Sequence, residues 1–155
     1  RLAQTVTVGA GTLLDLSAAS GREFGRVTGA GSVRAATFAV LPAIEGSIGT
    51  LDVQSGDLAF TATAQAGSFV VHPTLTVSGT LSIPSNGVVR VTFTGRARAM
   101  RLPLASYGAM SGSGFNAWTL EASGDVPHGA ILRLVKTSTS LALDILANGT
   151  TILVH

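Results

Sequence analysis

The sequence contains no cysteine, so neither disulfides nor thiolate metal sites contribute to this fold. Charge is also scarce. Asp, Glu, Lys and Arg together make up 12% of the chain, about half the roughly 25% of ordinary soluble domains. Aromatic residues make up only 5%. No apolar run approaches the ~18 residues that a membrane-spanning helix needs, so no transmembrane helix is expected. Windows with apolar residues at i, i+3, i+4 and i+7 behind a capping residue are missing, which removes amphipathic helix from the expected structure. With so little charge, Ser, Thr, Gly and Ala must cover the surface. That composition suits stacked β structure, in which backbone groups pair internally and small polar residues line the turns.

The chain has 155 residues, 46% of them hydrophobic, enough for a real core in a single domain spanning residues 1–155. The net charge is +2, too small to imply a dense basic face, so nucleic acid is not an expected partner. The chain opens Arg1-Leu2-Ala3-Gln4 with no apolar stretch behind it, which reads as a mature or cleaved form without a signal peptide.

Alternation of apolar and polar residues fills the place of the missing helix signals. It runs through Thr5–Val8, Thr50–Val53, Leu75–Val77 and Val89–Phe93, the period of half-buried strands. Gly-Ala-Gly, Ser-Gly-Asp, Ser-Gly-Thr and Ser-Asn-Gly tripeptides separate these segments and supply turn chemistry. Three stretches resemble one another: 5–16, 50–60 and 74–83. Each reads as strand, Gly-containing corner, strand. Their spacing is uneven, as in a degenerate repeat whose units share one continuous core. Leu51, Val53, Leu58, Phe60, Leu75, Val77, Leu81 and Ile83 occupy matching places and are expected to stack inward. Hairpins folding back would give an antiparallel sandwich, and corners feeding successive coils would give a solenoid. Only Asn86-Gly87 and Asn148-Gly149 fit the two-residue hairpin rule, so the corners favour the solenoid.

Residues 27–60 carry a family resemblance. Val27-Thr28-Gly29-Ala30-Gly31-Ser32-Val33 resembles the Gly-Ser-Gly-Thr-Val element of autotransporter-associated β-strand repeats. The stretch from Leu41 through Ser47-Ile48-Gly49-Thr50-Leu51 to Val53 is similar to the Pro-Gly-x-Ser-Ile-Gly-Thr-Leu-x-Val segment that recurs in those proteins. Leu104–Gly108 with Gly112–Phe115 is similar to the segment that closes their solenoids, and Val135 to Ile145 would supply the final strands. The resemblance covers roughly residues 25–146. It implies an all-β, right-handed parallel β-solenoid (β-helix) with a C-terminal closing β segment, repeat-like rungs over about 1–95 and closure over about 96–155. It also implies an exported bacterial protein, secreted or at the cell surface. The chain ends Ile152-Leu153-Val154-His155, without the amphipathic strand set of an outer-membrane barrel.

No catalytic constellation stands out, and the expected role is a non-catalytic stalk, spacer or fibre subunit. Asp15, Asp52 and Asp57 could form a ladder of acids on one solenoid face that binds a cation or sugar, but the expected reading is solvent-facing turn residues. His72, His128 and His155 lack metal-ligand spacing, and neither a metal nor a cofactor is expected. Gly29-Ala30-Gly31 has no helix or Lys-Ser/Thr pair behind it, which excludes a phosphate loop. Arg90, Arg96, Arg98 and Arg101 form the densest charge cluster, either an anion or acidic-glycan patch or a charged edge that discourages aggregation. Tyr107, Phe115 and Trp118 are concentrated in a short window. Exposed, they would stack on sugar rings; buried, they would plug the end of a core. The candidate ligand residues are therefore Trp118, Tyr107, Arg90, Arg96 and Arg98, with a glycan as the alternative partner. The leading partner is a second copy or a neighbouring solenoid domain, joined end to end, because Arg1–Gln4 and Ile152–Val154 offer no polar cap.

Overall fold

The computed structural model describes residues 4–19, 25–37, 43–65, 68–73, 75–96, 100–126 and 128–146. Among these residues the chain is all-β. Its strands are β1 (Thr5–Thr7), β2 (Leu13–Leu16), β3 (Arg26–Ala35), β4 (Ala43–Val53), β5 (Asp57–Gln65), β6 (Ser68–His72), β7 (Leu75–Ser82), β8 (Asn86–Thr94), β9 (Met100–Met110), β10 (Ala117–Gly124), β11 (Ile131–Lys136) and β12 (Ser140–Leu146). No described segment is helical, as the missing helical period predicts.

Among the described residues the strands form two mixed sheets and no closed barrel. The larger has the order β1-β3-β4-β7-β9-β12-β11, with β2 also paired to β3, and the smaller has the order β10-β8-β5-β6. From β3 to β10 neighbouring strands are mainly parallel. Antiparallel pairing is confined to β5–β6, β9–β12 and β11–β12. The chain crosses from the larger sheet to the smaller after β4, β7 and β9, at residues 54–56, 83–85 and 111–116. Parallel pairing extends through β10, and the antiparallel β11–β12 hairpin then returns along β9.

Strand alternation builds the core. In β5, Leu58, Phe60 and Ala62 are buried while Asp57, Ala59 and Thr61 are exposed, the two faces of a period-2 pattern. Inward residues stack in register from strand to strand. Leu51 lies between Val33 and Leu81, and Val89 lies between Leu58 and Leu120. Residues of both sheets join one hydrophobic cluster. Leu51, Val53, Leu58, Phe60, Leu75, Val77 and Leu81 are buried as their repeat positions predict. Ile83 is only half-buried, because it sits beyond the end of β7 in the connection to β8.

The three sequence copies are not structurally equivalent. Stretch 50–60 crosses from β4 to β5 and changes sheets. In 5–16, β1 and β2 both pair with β3 in one sheet. In 74–83 a single strand, β7, runs through Ser78-Gly79 with a register shift. The structural counterpart of Val77–Ser82 is Ile48–Asp52 in β4. The glycines explain the shift. A Cβ on Gly31 would collide with the Gly9 carbonyl, on Gly49 with the Ala30 carbonyl, on Gly79 with the Gly49 carbonyl and on Gly108 with the Ser78 carbonyl. A column of glycines thus crosses the larger sheet where successive backbones approach most closely, the use of a strand glycine that close backbone approach demands. Gly29-Ala30-Gly31 lies in this column within β3.

Candidate functional site

The aromatic window folds inward at the closing end. Tyr107 is 4% exposed, Phe115 3% and Trp118 3%. The Phe115 and Trp118 rings meet edge to face with centroids 5.3 Å apart, and Tyr107 and Phe115 lie 6.2 Å apart. Each polar tip is satisfied. The Trp118 indole N–H donates to the Pro84 carbonyl at 3.0 Å. The Tyr107 hydroxyl lies 3.0 Å from the Thr137 carbonyl and 2.9 Å from that of Ser140, and donates to them. Trp118 stands in register with Gly87, whose missing Cβ leaves room for the indole Cη2. Stacking on a sugar needs an open ring face, and here all three rings are buried. The orientation has a sequence signal. Trp118 shares strand parity with half-buried Leu120 and Ala122, whereas Thr119, Glu121 and Ser123 face solvent.

Burial pushes the Tyr107 phenol up to about 12. Because Tyr107 is the only tyrosine in the chain, its ionisation can be followed by ultraviolet absorbance without ambiguity. The folded pKa lies above the unfolded value of about 10. Its contribution to stability is therefore complete below about pH 10 and is lost as pH rises through about 12. The phenolate signal is expected to lag free tyrosine in the native chain and to return to the free-tyrosine midpoint in denaturant. A native midpoint at the free value would mean that the ring is solvated.

The arginine cluster separates on folding. Arg90 projects from β8 in the smaller sheet, and Arg101 from β9 in the larger. Arg96 is exposed beyond β8, and Arg98 lies outside the described residues. Arg90 is clamped between acids on both neighbouring strands, with Nε 3.0 Å from Asp57 and Nη1 2.7 Å from Glu121. The Asp57 hydrogen bond foremost raises its guanidinium pKa. Arg34 is placed likewise, 3.2 Å from Asp52 on β4 and 3.7 Å from Asp15 on β2. The candidate acid ladder is thus interleaved with arginine. Alternating charges on successive strands reinforce register, although exposed pairs of this kind add little to stability.

Sequence reading missed the most enclosed ion cluster. Asp144 on β12 is the only buried charged residue among those described. Arg101 Nε reaches its Oδ1 at 2.6 Å and Arg101 Nη2 its Oδ2 at 3.0 Å, while Arg133 Nη2 reaches Oδ2 at 3.1 Å. The Arg101 hydrogen bond foremost, then that of Arg133, holds the Asp144 carboxyl below the ordinary carboxylate range against the opposing effect of burial. Nothing at positions 101, 133 and 144 marks them as neighbours until the β11–β12 hairpin returns antiparallel along β9.

Two clefts flank this closing region. One, of about 450 Å³, is mainly apolar and runs along Leu75, Pro103, Leu104, Leu141 and Ala142, with Arg101 at its rim. The other, of about 290 Å³, opens between the β9–β10 turn and the β11–β12 turn, bordered by Tyr107, Met110, Asn116 and Lys136. Among the described residues no three His, Asp or Glu side chains gather as metal ligands, and no helix is long and apolar enough to cross a membrane. No family profile, no curated protein and no solved structure matches the chain.

Proposed function

We propose that the chain is a non-catalytic structural module of an exported bacterial surface protein, a right-handed parallel β-solenoid that associates end to end as a stalk, spacer or fibre subunit. The stacking period carries this reading. Ile48 pairs with Val77 and Val77 with Tyr107 in the larger sheet, while Leu58 pairs with Val89 and Val89 with Leu120 in the smaller. From β4 onward both sheets advance by about 30 residues per coil, a period within the range of repeat architectures. Gly49, Gly79 and Gly108 and the charges of Asp57, Arg90 and Glu121 follow the same step, whereas β3 to β4 is a shorter one, with Val33 paired to Leu51. The resemblance of residues 27–60 to autotransporter-associated repeats supplies the exported, surface-facing part of the proposal.

The sheet ends supply the assembly part. Among the described residues, the larger sheet ends at β1 and β2 on one side and at β11 on the other. Leu13 on β2 is 50% exposed and Ile131 on β11 is 59% exposed. A free strand edge is a template for another strand, and a head-to-tail contact that does not close propagates as a filament. Light scattering and electron microscopy of the purified chain are expected to show rods that lengthen with concentration. A strictly monomeric particle at high concentration would defeat the assembly claim.

A further inference from the structure

We propose that the smaller cleft, between the β9–β10 turn and the β11–β12 turn, is a binding site for a small oxyanion: the carboxylate or sulfate group of an anionic ligand. This inference is independent of the structural role proposed above. The cleft is lined by Gly112, Ser113, Gly114, Asn116, Lys136 and Ser138 together with Tyr107 and its neighbours, and no Asp or Glu borders it. Its polar lining is rich in donors. Among the described residues, the backbone N–H groups of Gly112, Ser113, Gly114 and Phe115 meet no acceptor. Gly112 and Gly114 both have positive φ, 61° and 58°. Residues 112–116 form a turn, and a turn conformation can gather successive N–H groups into an anion-binding concavity.

Lys136 supplies the charge. It is the only lysine in the chain, and its Nζ donates to the Trp118 carbonyl at 2.9 Å. That contact anchors the ammonium and leaves two of its three donors for a ligand. The cleft, at about 290 Å³, lies at the small end of ligand sites, which run from about 300 to 1,000 Å³. It therefore suits a single charged group rather than an extended chain. The oxyanion could be free in solution or carried on an acidic glycan; the recognising chemistry is the same.

Amide NMR of the full chain, titrated with sodium sulfate, sodium acetate and a glucuronate oligosaccharide at matched ionic strength, tests the site. Saturable shifts are expected at Gly112 to Phe115 and at the Trp118 indole. Lys136→Met removes the cation, and Asn116→Asp sets a carboxylate at the rim. Each is expected to weaken binding by about tenfold or more, the scale of a charge-assisted hydrogen bond. Asn116 is exposed, so its variant keeps the test decisive even where Lys136→Met unfolds through loss of the Trp118 contact. Tighter binding of the oligosaccharide than of acetate would assign the site to glycan-borne carboxylates, and equal binding to free anions; both outcomes uphold the oxyanion site. Absence of saturable shifts with all three probes, or unchanged binding in Asn116→Asp, overturns it.

Discussion

Gly49→Ala is expected to destabilise the chain by about 3 kcal/mol or more, at or beyond the upper end of ordinary overpacking costs. The added methyl would overlap the Ala30 carbonyl and sit 2.8 Å from the Gly31 carbonyl oxygen. Both obstacles are backbone of the neighbouring strand, so no side-chain rotation relieves them. The strand must move, and Gly79 on the far side packs against the Gly49 carbonyl in turn. The displacement would therefore pass to β7 as well as β3. Gly46 provides the control in the same strand. Its φ is +74° and nothing lies within 4 Å of a Cβ there, so Gly46→Ala meets conformational strain alone, about 1–2 kcal/mol. Urea unfolding of the two variants beside the parent separates the causes. Equal losses would show that the strands at Gly49 are free to part.

Leu51→Ala is expected to cost about 2–5 kcal/mol, the range for a fully buried leucine whose surroundings cannot collapse. Leu51 is 0% exposed and is flanked in register by Val33 and Leu81. The neighbouring glycine column fixes the spacing of these strands, so the space vacated by the side chain cannot close by a shift of β4. Leu13, on the outer face of β2 and 50% exposed, is the matched comparison. Leu13→Ala is expected to stay within about 0.5 kcal/mol of the parent. Both values come from denaturant midpoints at constant slope. A Leu51→Ala loss below about 1 kcal/mol would place that side chain outside a packed core.

The tertiary structure also revises how the repeats relate. The motif of apolar residue, small residue, Gly and apolar residue marks a change of sheet at Val53–Leu58. It marks a register shift within one strand at Val77–Leu81. Both places need a glycine because a neighbouring backbone presses close, that of Asn86-Gly87 at Gly56 and that of Gly49 at Gly79. Local sequence contains the glycine but not the reason for it.

The same division runs through the candidate ligand residues. The sequence gathers Arg90, Arg96, Arg98 and Arg101 into one charge cluster, yet the passage from β8 to β9 sends Arg90 and Arg101 to different sheets. Each then finds acids contributed by strands remote in sequence: Asp57 and Glu121 for Arg90, Asp144 for Arg101. The burial of Trp118 was legible in its parity with Leu120; its partners Gly87 and Pro84 were not.

By itself the sequence determined the strand-rich class, the absence of disulfides and the inward set from Leu51 to Leu81. Period-2 alternation and composition are local properties, and burying one face of a strand requires nothing else. Only the tertiary structure decided which strands are neighbours, that Asp144 is held between Arg101 and Arg133, and that Lys136 stands beside the β9–β10 turn. Those facts depend on strand register across separations such as the 43 residues from Arg101 to Asp144 and the 18 from Trp118 to Lys136. A shift of one residue would turn every inward side chain outward, and it is the packing of glycine against backbone carbonyl, strand after strand, that fixes it.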